Sequence, residues 1–128
     1  MCAVAILVVE DDATIRSLVT VSLKREHFNV ISASNADEAL QLIEKHERID
    51  LLLTDVQMEG SMSGIELADV VHIERPGLPV LVMSGYPHAL AVAAEKGYPT
   101  LAKPFTLTML GDRVRTVLAT RVSPRLSN

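Results

Sequence analysis

Asp55 closes the apolar run Ile49-Asp50-Leu51-Leu52-Leu53-Thr54 and is followed by Val56-Gln57-Met58, so a carboxylate stands at the end of a buried strand. Other apolar runs end in groups of equal chemical interest. Ala3 to Val9 ends in Glu10-Asp11-Asp12, Pro79 to Met83 ends in Ser84-Gly85, and the short run at Thr100 leads to Lys103-Pro104. Carboxylates gathered in one crevice repel one another, so at neutral pH they need either raised pKa values or a cation. A divalent ion is the simpler solution, and all-oxygen ligands favour Mg2+, which keeps several waters and takes one or two carboxylates plus a phosphate oxygen. His27, His46, His72 and His88 show no ligand spacing, which argues against zinc. A carboxylate in such a site can attack a phosphoryl group and form an acyl phosphate. The charge spread over the transferred group is offset by a metal ion, an ammonium and a hydroxyl donor, and Lys103 and Ser84 fit the last two roles. A lysine ending an apolar strand is itself costly without a nearby anion. Asp12 is read differently, as the N-cap of the helix that follows.

These residues meet only if the strands that carry them run parallel. Stretches rich in Val, Ile and Leu at Ala3–Val9, Phe28–Ala33, Asp50–Thr54, Leu78–Met83 and Thr100–Ala102 alternate with helical periodicity. The first, third and fourth are nearly continuous apolar runs, the pattern of central strands covered on both faces. The first helix, about Ala13 to Glu26, places Ile15, Leu18, Val19 and Ser22 on one stripe; the second, about Ala36 to His46, places Ala36, Ala39, Leu40 and Ile43. Asn35 with Glu38, and Ser63 with Glu66, have capping-box spacing, and Pro76-Gly77 ends the third helix. A short alanine-rich fourth helix, about His88 to Lys96, precedes a fifth, about Leu107 to Arg121, with Leu107, Leu110, Val114, Val117 and Leu118 at helical spacing; Gly111 weakens it slightly. Right-handed crossovers then give an α/β fold, a three-layer doubly wound five-stranded parallel sheet of order 2-1-3-4-5. That order puts the first and third strands at the switch point, with Glu10 and Asp11 beside Asp55.

A chain of 128 residues, 48% of them apolar, suits one core. Residues 1–122 are expected to form it, with 123–128 as a loose tail. The net charge of −4, with Lys and Arg scattered among acids, argues against direct nucleic-acid binding. The single cysteine, Cys2, fits a reducing cytoplasm and is read as incidental. Met1 to Val9 is too short for a membrane span and lacks a basic leader.

Taken together, Ile6-Leu7-Val8-Val9-Glu10-Asp11-Asp12, Leu53-Thr54-Asp55-Val56-Gln57-Met58, Met83-Ser84-Gly85 and Lys103-Pro104-Phe105 resemble the receiver domains of response regulators, over almost the whole chain. The resemblance implies a flavodoxin-like fold and a phospho-accepting role in a two-component phosphorelay. It matches Asp55 to the phospho-acceptor, Glu10 and Asp11 to the acidic pair, Ser84 to the hydroxyl and Lys103 to the lysine. It also implies that the backbone carbonyl of Gln57 joins Glu10, Asp11 and Asp55 around Mg2+, and that Lys103-Pro104 is cis. Two departures stand out. The loop Met58 to Gly64 carries Glu59 where proline is frequent and looks one residue longer than usual. Thr100 fills the usual aromatic switch position, which leaves Tyr86, two residues after Ser84, as the switch candidate, as in stand-alone alphaproteobacterial receivers with a Thr-Gly-Tyr-type motif.

The expected protein is therefore a cytoplasmic single-domain response regulator. It takes phosphate from a histidine kinase or a histidine phosphotransfer protein and acts on a downstream protein partner; it is not a turnover enzyme. Rival readings are a phospho-independent interaction module with a vestigial site, a phosphate sink without its own output, and a phosphatase of the haloacid-dehalogenase type. The last lacks its second acid, since Gln57 stands where that family has aspartate.

Overall fold

A computed structural model describes residues 3–120, so Cys2 and the expected tail at 123–128 lie outside the described residues. The chain alternates strand and helix throughout: β1 Ala5–Val9, α1 Ala13–Arg25, β2 Asn29–Ala33, α2 Ala36–Lys45, β3 Leu51–Asp55, α3 Gly64–Glu74, β4 Val80–Ser84, α4 Pro87–Glu95, β5 Thr100–Ala102 and α5 Leu107–Thr120. All strand pairings are parallel and the order is β2-β1-β3-β4-β5, as expected.

Alternation along each strand divides the core in two. Leu7, Val9, Leu52, Val80 and Val82 face α2, α3 and α4, where they meet Ala36, Ala39, Ile43, Leu67, Val71 and Ala93. Ile6, Val8, Leu53, Leu81 and Met83 face α1 and α5, where they meet Val19, Leu23, Leu110, Val114 and Val117. Because the central strands are buried on both faces, their near-continuous apolar runs follow from the architecture.

Local chemistry sets the element ends. Asp12 caps α1, its Oδ1 accepting from the N–H groups of Thr14 (2.9 Å) and Ile15 (3.0 Å). Ser63 and Glu66 form a complete capping box on α3. At α2, Asn35 Oδ1 accepts from Glu38 N–H, but the Glu38 carboxylate returns to Ser34 N–H at 2.7 Å, one residue earlier than the box requires. Pro87 occupies the first turn of α4, where its fixed φ is preorganised and its missing N–H costs nothing, so that helix starts one residue before the expected His88.

Two apolar residues expected on the inner stripes are exposed instead: Leu18 at 52% and Leu107 at 43%. α1 turns Val19, Ser22 and Leu23 to the sheet, which leaves Leu18 at the rim of a shallow groove shared with Ile15, Phe105 and Leu107. Gly111, read from sequence only as a weak helix former, has a packing role. A Cβ there would press on the carboxylate of Glu26, which ends α1 and pairs with Arg115 of α5.

The short edge strand β5 lies between Pro99 and Pro104, and the Lys103-Pro104 bond is cis as expected. From α5, Arg113 Nε donates to the Thr100 carbonyl at 3.2 Å.

Candidate functional site

Asp55 and Ser84 are the last residues of β3 and β4, one step further inside the sheet than the sequence places them. The register sets Asp55 beside Met83 and Ser84 beside Ala102, with Lys103 immediately beyond. Glu10 follows β1 and is held by Ala33, whose carbonyl accepts from Glu10 N–H. All the expected side chains therefore converge on one end of the sheet, at the switch point between β1 and β3.

Lys103 joins the acids. Its ammonium lies 2.7 Å from Glu10 Oε1 and 3.1 Å from Asp55 Oδ2. Glu10 is only 1% exposed, and its other oxygen accepts from Asp12 N–H at 3.2 Å. Burial is the largest influence on Glu10 and raises its pKa above the ordinary 4.5; Lys103 and the Asp12 N–H pull it back, and the Asp55 charge adds to the rise. Burial opposes the charge on Lys103 as well, but the hydrogen bond to Glu10 and the charge of Asp55 outweigh it and lift its pKa above 10.5. One cation thus serves two buried acids, so a further positive charge has work to do here.

Asp11 completes the acidic set, with its Oδ2 accepting from Glu59 N–H at 3.1 Å. Among the described residues, carboxylate oxygens of Glu10, Asp11 and Asp55 lie within 4.8 Å of one another. An all-oxygen cluster carrying more negative charge than Lys103 offsets suits a hard divalent cation such as Mg2+.

The backbone under Asp55 is closely braced. Thr54 Oγ1 donates to the Asp55 carbonyl at 2.9 Å, and Gly64 N–H donates to the Val56 carbonyl at 2.9 Å. A Cβ on Gly64 would lie 2.7 Å from the Asp55 carbonyl carbon and 3.0 Å from Thr54 Oγ1, so α3 can begin here only with glycine in contact with the strand. Ser84 is fully buried. Its hydroxyl donates to Gln57 Oε1 at 2.8 Å and accepts from Tyr86 N–H at 3.0 Å. Tyr86 itself is 61% exposed.

Sequence reasoning missed the hydrogen bond of the Gln57 side chain, having singled this residue out for its backbone carbonyl and for standing where the haloacid-dehalogenase family has aspartate. It also missed the Glu59 N–H on Asp11 and Arg16, whose guanidinium donates to the Glu10 carbonyl at 2.8 Å. Gln57 could have been flagged, since a polar amide two residues after Asp55 shares its crivice end of the sheet. Nothing in the spacing marks Arg16.

Comparison with known proteins agrees with this geometry. A family model described as the response regulator receiver domain matches residues 6–115. The heme response regulator HssR of Staphylococcus saprophyticus is 36% identical over 117 residues, which cover 88% of this chain and 50% of that protein. The chain spans half or less of the length of the first curated relatives it matches. A CheY-like receiver domain protein from Methanospirillum hungatei superposes with a TM-score of 0.85 at 27% identity, covering 94% of this chain and 97% of that one. The response regulator TrrA of Thermotoga maritima, solved in complex with Mg2+ and BeF, gives 0.81 at 26% identity, covering 89% and 98%.

Proposed function

We propose, on the premise that this chain belongs to the response regulator receiver family, that it accepts a phosphoryl group on the Asp55 carboxylate and passes the change of state to a protein partner. The family is a signalling module of two-component systems rather than a turnover enzyme. The observation that carries the residue assignment is Lys103 bridging Glu10 and Asp55 at 2.7 and 3.1 Å, in a crevice where Asp11 adds a third carboxylate.

In this reading an Asp55 oxygen forms the new P–O bond while the P–N bond of a phosphohistidine donor breaks, the leaving imidazole nitrogen keeping the bonding pair. Lys103 Nζ turns part of its charge toward a phosphoryl oxygen, and the Ser84 hydroxyl donates to another. Glu10, Asp11, Asp55 and the Gln57 backbone carbonyl would hold Mg2+, which when bound would offset the charge on the phosphoryl oxygens. The donor in this reading is a histidine kinase or histidine phosphotransfer protein, and the compartment is the cytoplasm. We assign the receiver unit to residues 1–122, of which 3–120 are described, and its output to protein contact, without direct nucleic-acid binding or membrane insertion. No helix among the described residues is long and apolar enough to cross a membrane.

Incubation with Mg2+ and acetyl phosphate, followed by intact-mass measurement, tests the reading. A phosphoryl adduct is expected in the wild type and absent in Asp55→Asn. An unmodified wild type, or an adduct that survives the substitution, would sink the assignment.

A further inference from the structure

The Ser84 hydroxyl has its one proton committed. It accepts from Tyr86 N–H at 3.0 Å, which leaves its single proton for Gln57 Oε1 at 2.8 Å. That proton cannot serve Gln57 and a phosphoryl oxygen at once. The partners are also unequal. Ser84 is fully buried, whereas Gln57 is an exposed residue whose amide can turn to solvent.

We infer that the Gln57 side chain is a positioning residue that holds the Ser84 hydroxyl in its resting place and sets the free-energy gap between the resting and phosphorylated arrangements. The inference rests on the reading of Asp55 as phospho-acceptor. Exchanging one acceptor for another leaves Ser84 satisfied in both states, so the resting state keeps whatever net stability the Gln57 bond gives it. Without that amide, the hydroxyl loses the acceptor it has at rest, while an anion on Asp55 still offers it one. The resting state then rises in free energy and the phosphorylated arrangement gains by comparison. Because Ser84 also receives Tyr86 N–H at the N-cap of α4, release of the hydroxyl is felt at the start of that helix.

The probe is beryllofluoride, an acyl-phosphate mimic, titrated at saturating Mg2+ and read from amide chemical shifts. Gln57→Met keeps the length of the side chain and removes the acceptor; Gln57→Ala removes both; either substitution leaves the backbone carbonyl in place. Both variants should bind beryllofluoride about 2- to 10-fold more tightly than wild type, the net worth of one neutral hydrogen bond. The gain should vanish when the same substitutions are made on Ser84→Ala, because the coupling runs through the hydroxyl. Unchanged or weaker binding with Ser84 present, or an equal gain with Ser84 absent, overturns the inference. A wild type that binds beryllofluoride and accepts phosphate, alongside Gln57 variants that match it, defeats the inference alone. A wild type that does neither defeats the receiver reading as well.

Discussion

Glu10 and Lys103 both have pKa values above their ordinary ones, and the two shifts have the same sign for stability. A group that binds its proton more tightly folded than unfolded contributes stability that is complete below the unfolded pKa and is lost as pH rises through the folded one. For Glu10 that loss begins above 4.5 and runs to its raised value; for Lys103 it begins above 10.5. Glu10→Gln, a neutral isostere, does not take part in the first loss. In Mg2+-free buffers its melting temperature relative to wild type should therefore climb as pH rises from below 4.5 through the raised Glu10 value, then level off. A difference that stays flat or falls across that window would show that Lys103 compensates Glu10 fully. At this scale the sequence was informative about residue types and weak on partners. Glu10, Asp11, Asp55, Ser84 and Lys103 were legible because each terminates an apolar run. The Ser84–Gln57 bond was not, because it joins residues 27 apart on adjacent strand ends and depends on side-chain direction.

Where β3 gives way to α3, the element boundary itself supports the site. Gly64 opens the helix in contact with the Asp55 carbonyl, and the capping box of Ser63 and Glu66 fixes where the helix starts. Gly64→Ala adds a methyl group that meets backbone and can be accommodated only if β3 and α3 move apart. It should cost about 1–3 kcal/mol in chemical denaturation, as overpacking generally does. Phosphoryl adduct formation should slow with it, since the strand end that carries Asp55 is displaced. Wild-type stability together with a wild-type rate would mean that the helix start shifts without cost. The spacing of Ser63 and Glu66 was readable, although the same spacing at Asn35 and Glu38 closes on Ser34 N–H instead; the close approach of Gly64 was not readable, since it is a contact between elements. The same limit explains Leu18 and Leu107. Helical periodicity finds an apolar stripe but does not say how much of its width the sheet can cover.

Across the whole molecule, hydrogen bonds run from Gln57, two residues after Asp55, through the Ser84 hydroxyl to the Tyr86 N–H at the start of α4. We expect the exposed Tyr86 ring to reorient when Ser84 moves, biasing the face of α4, β5 and α5 by a coupling of about 1–3 kcal/mol. Amide shifts over residues 98–120, with and without beryllofluoride, should therefore change less in Tyr86→Ala than in wild type. Equal changes in both proteins would remove Tyr86 from the switch. Strand order and the two-sided core were legible at this scale because continuous apolar runs separated by amphipathic helices admit few topologies. The edge strand β5 carries one more consequence. An open sheet edge is a template on which another chain can add a strand. Here Pro99 and Pro104 flank it with residues that have no N–H to offer, and the guanidinium of Arg113 already occupies the Thr100 carbonyl. A strand of three residues bounded in this way leaves a neighbouring chain few groups to pair with, so association by strand addition should be disfavoured on the β5 side.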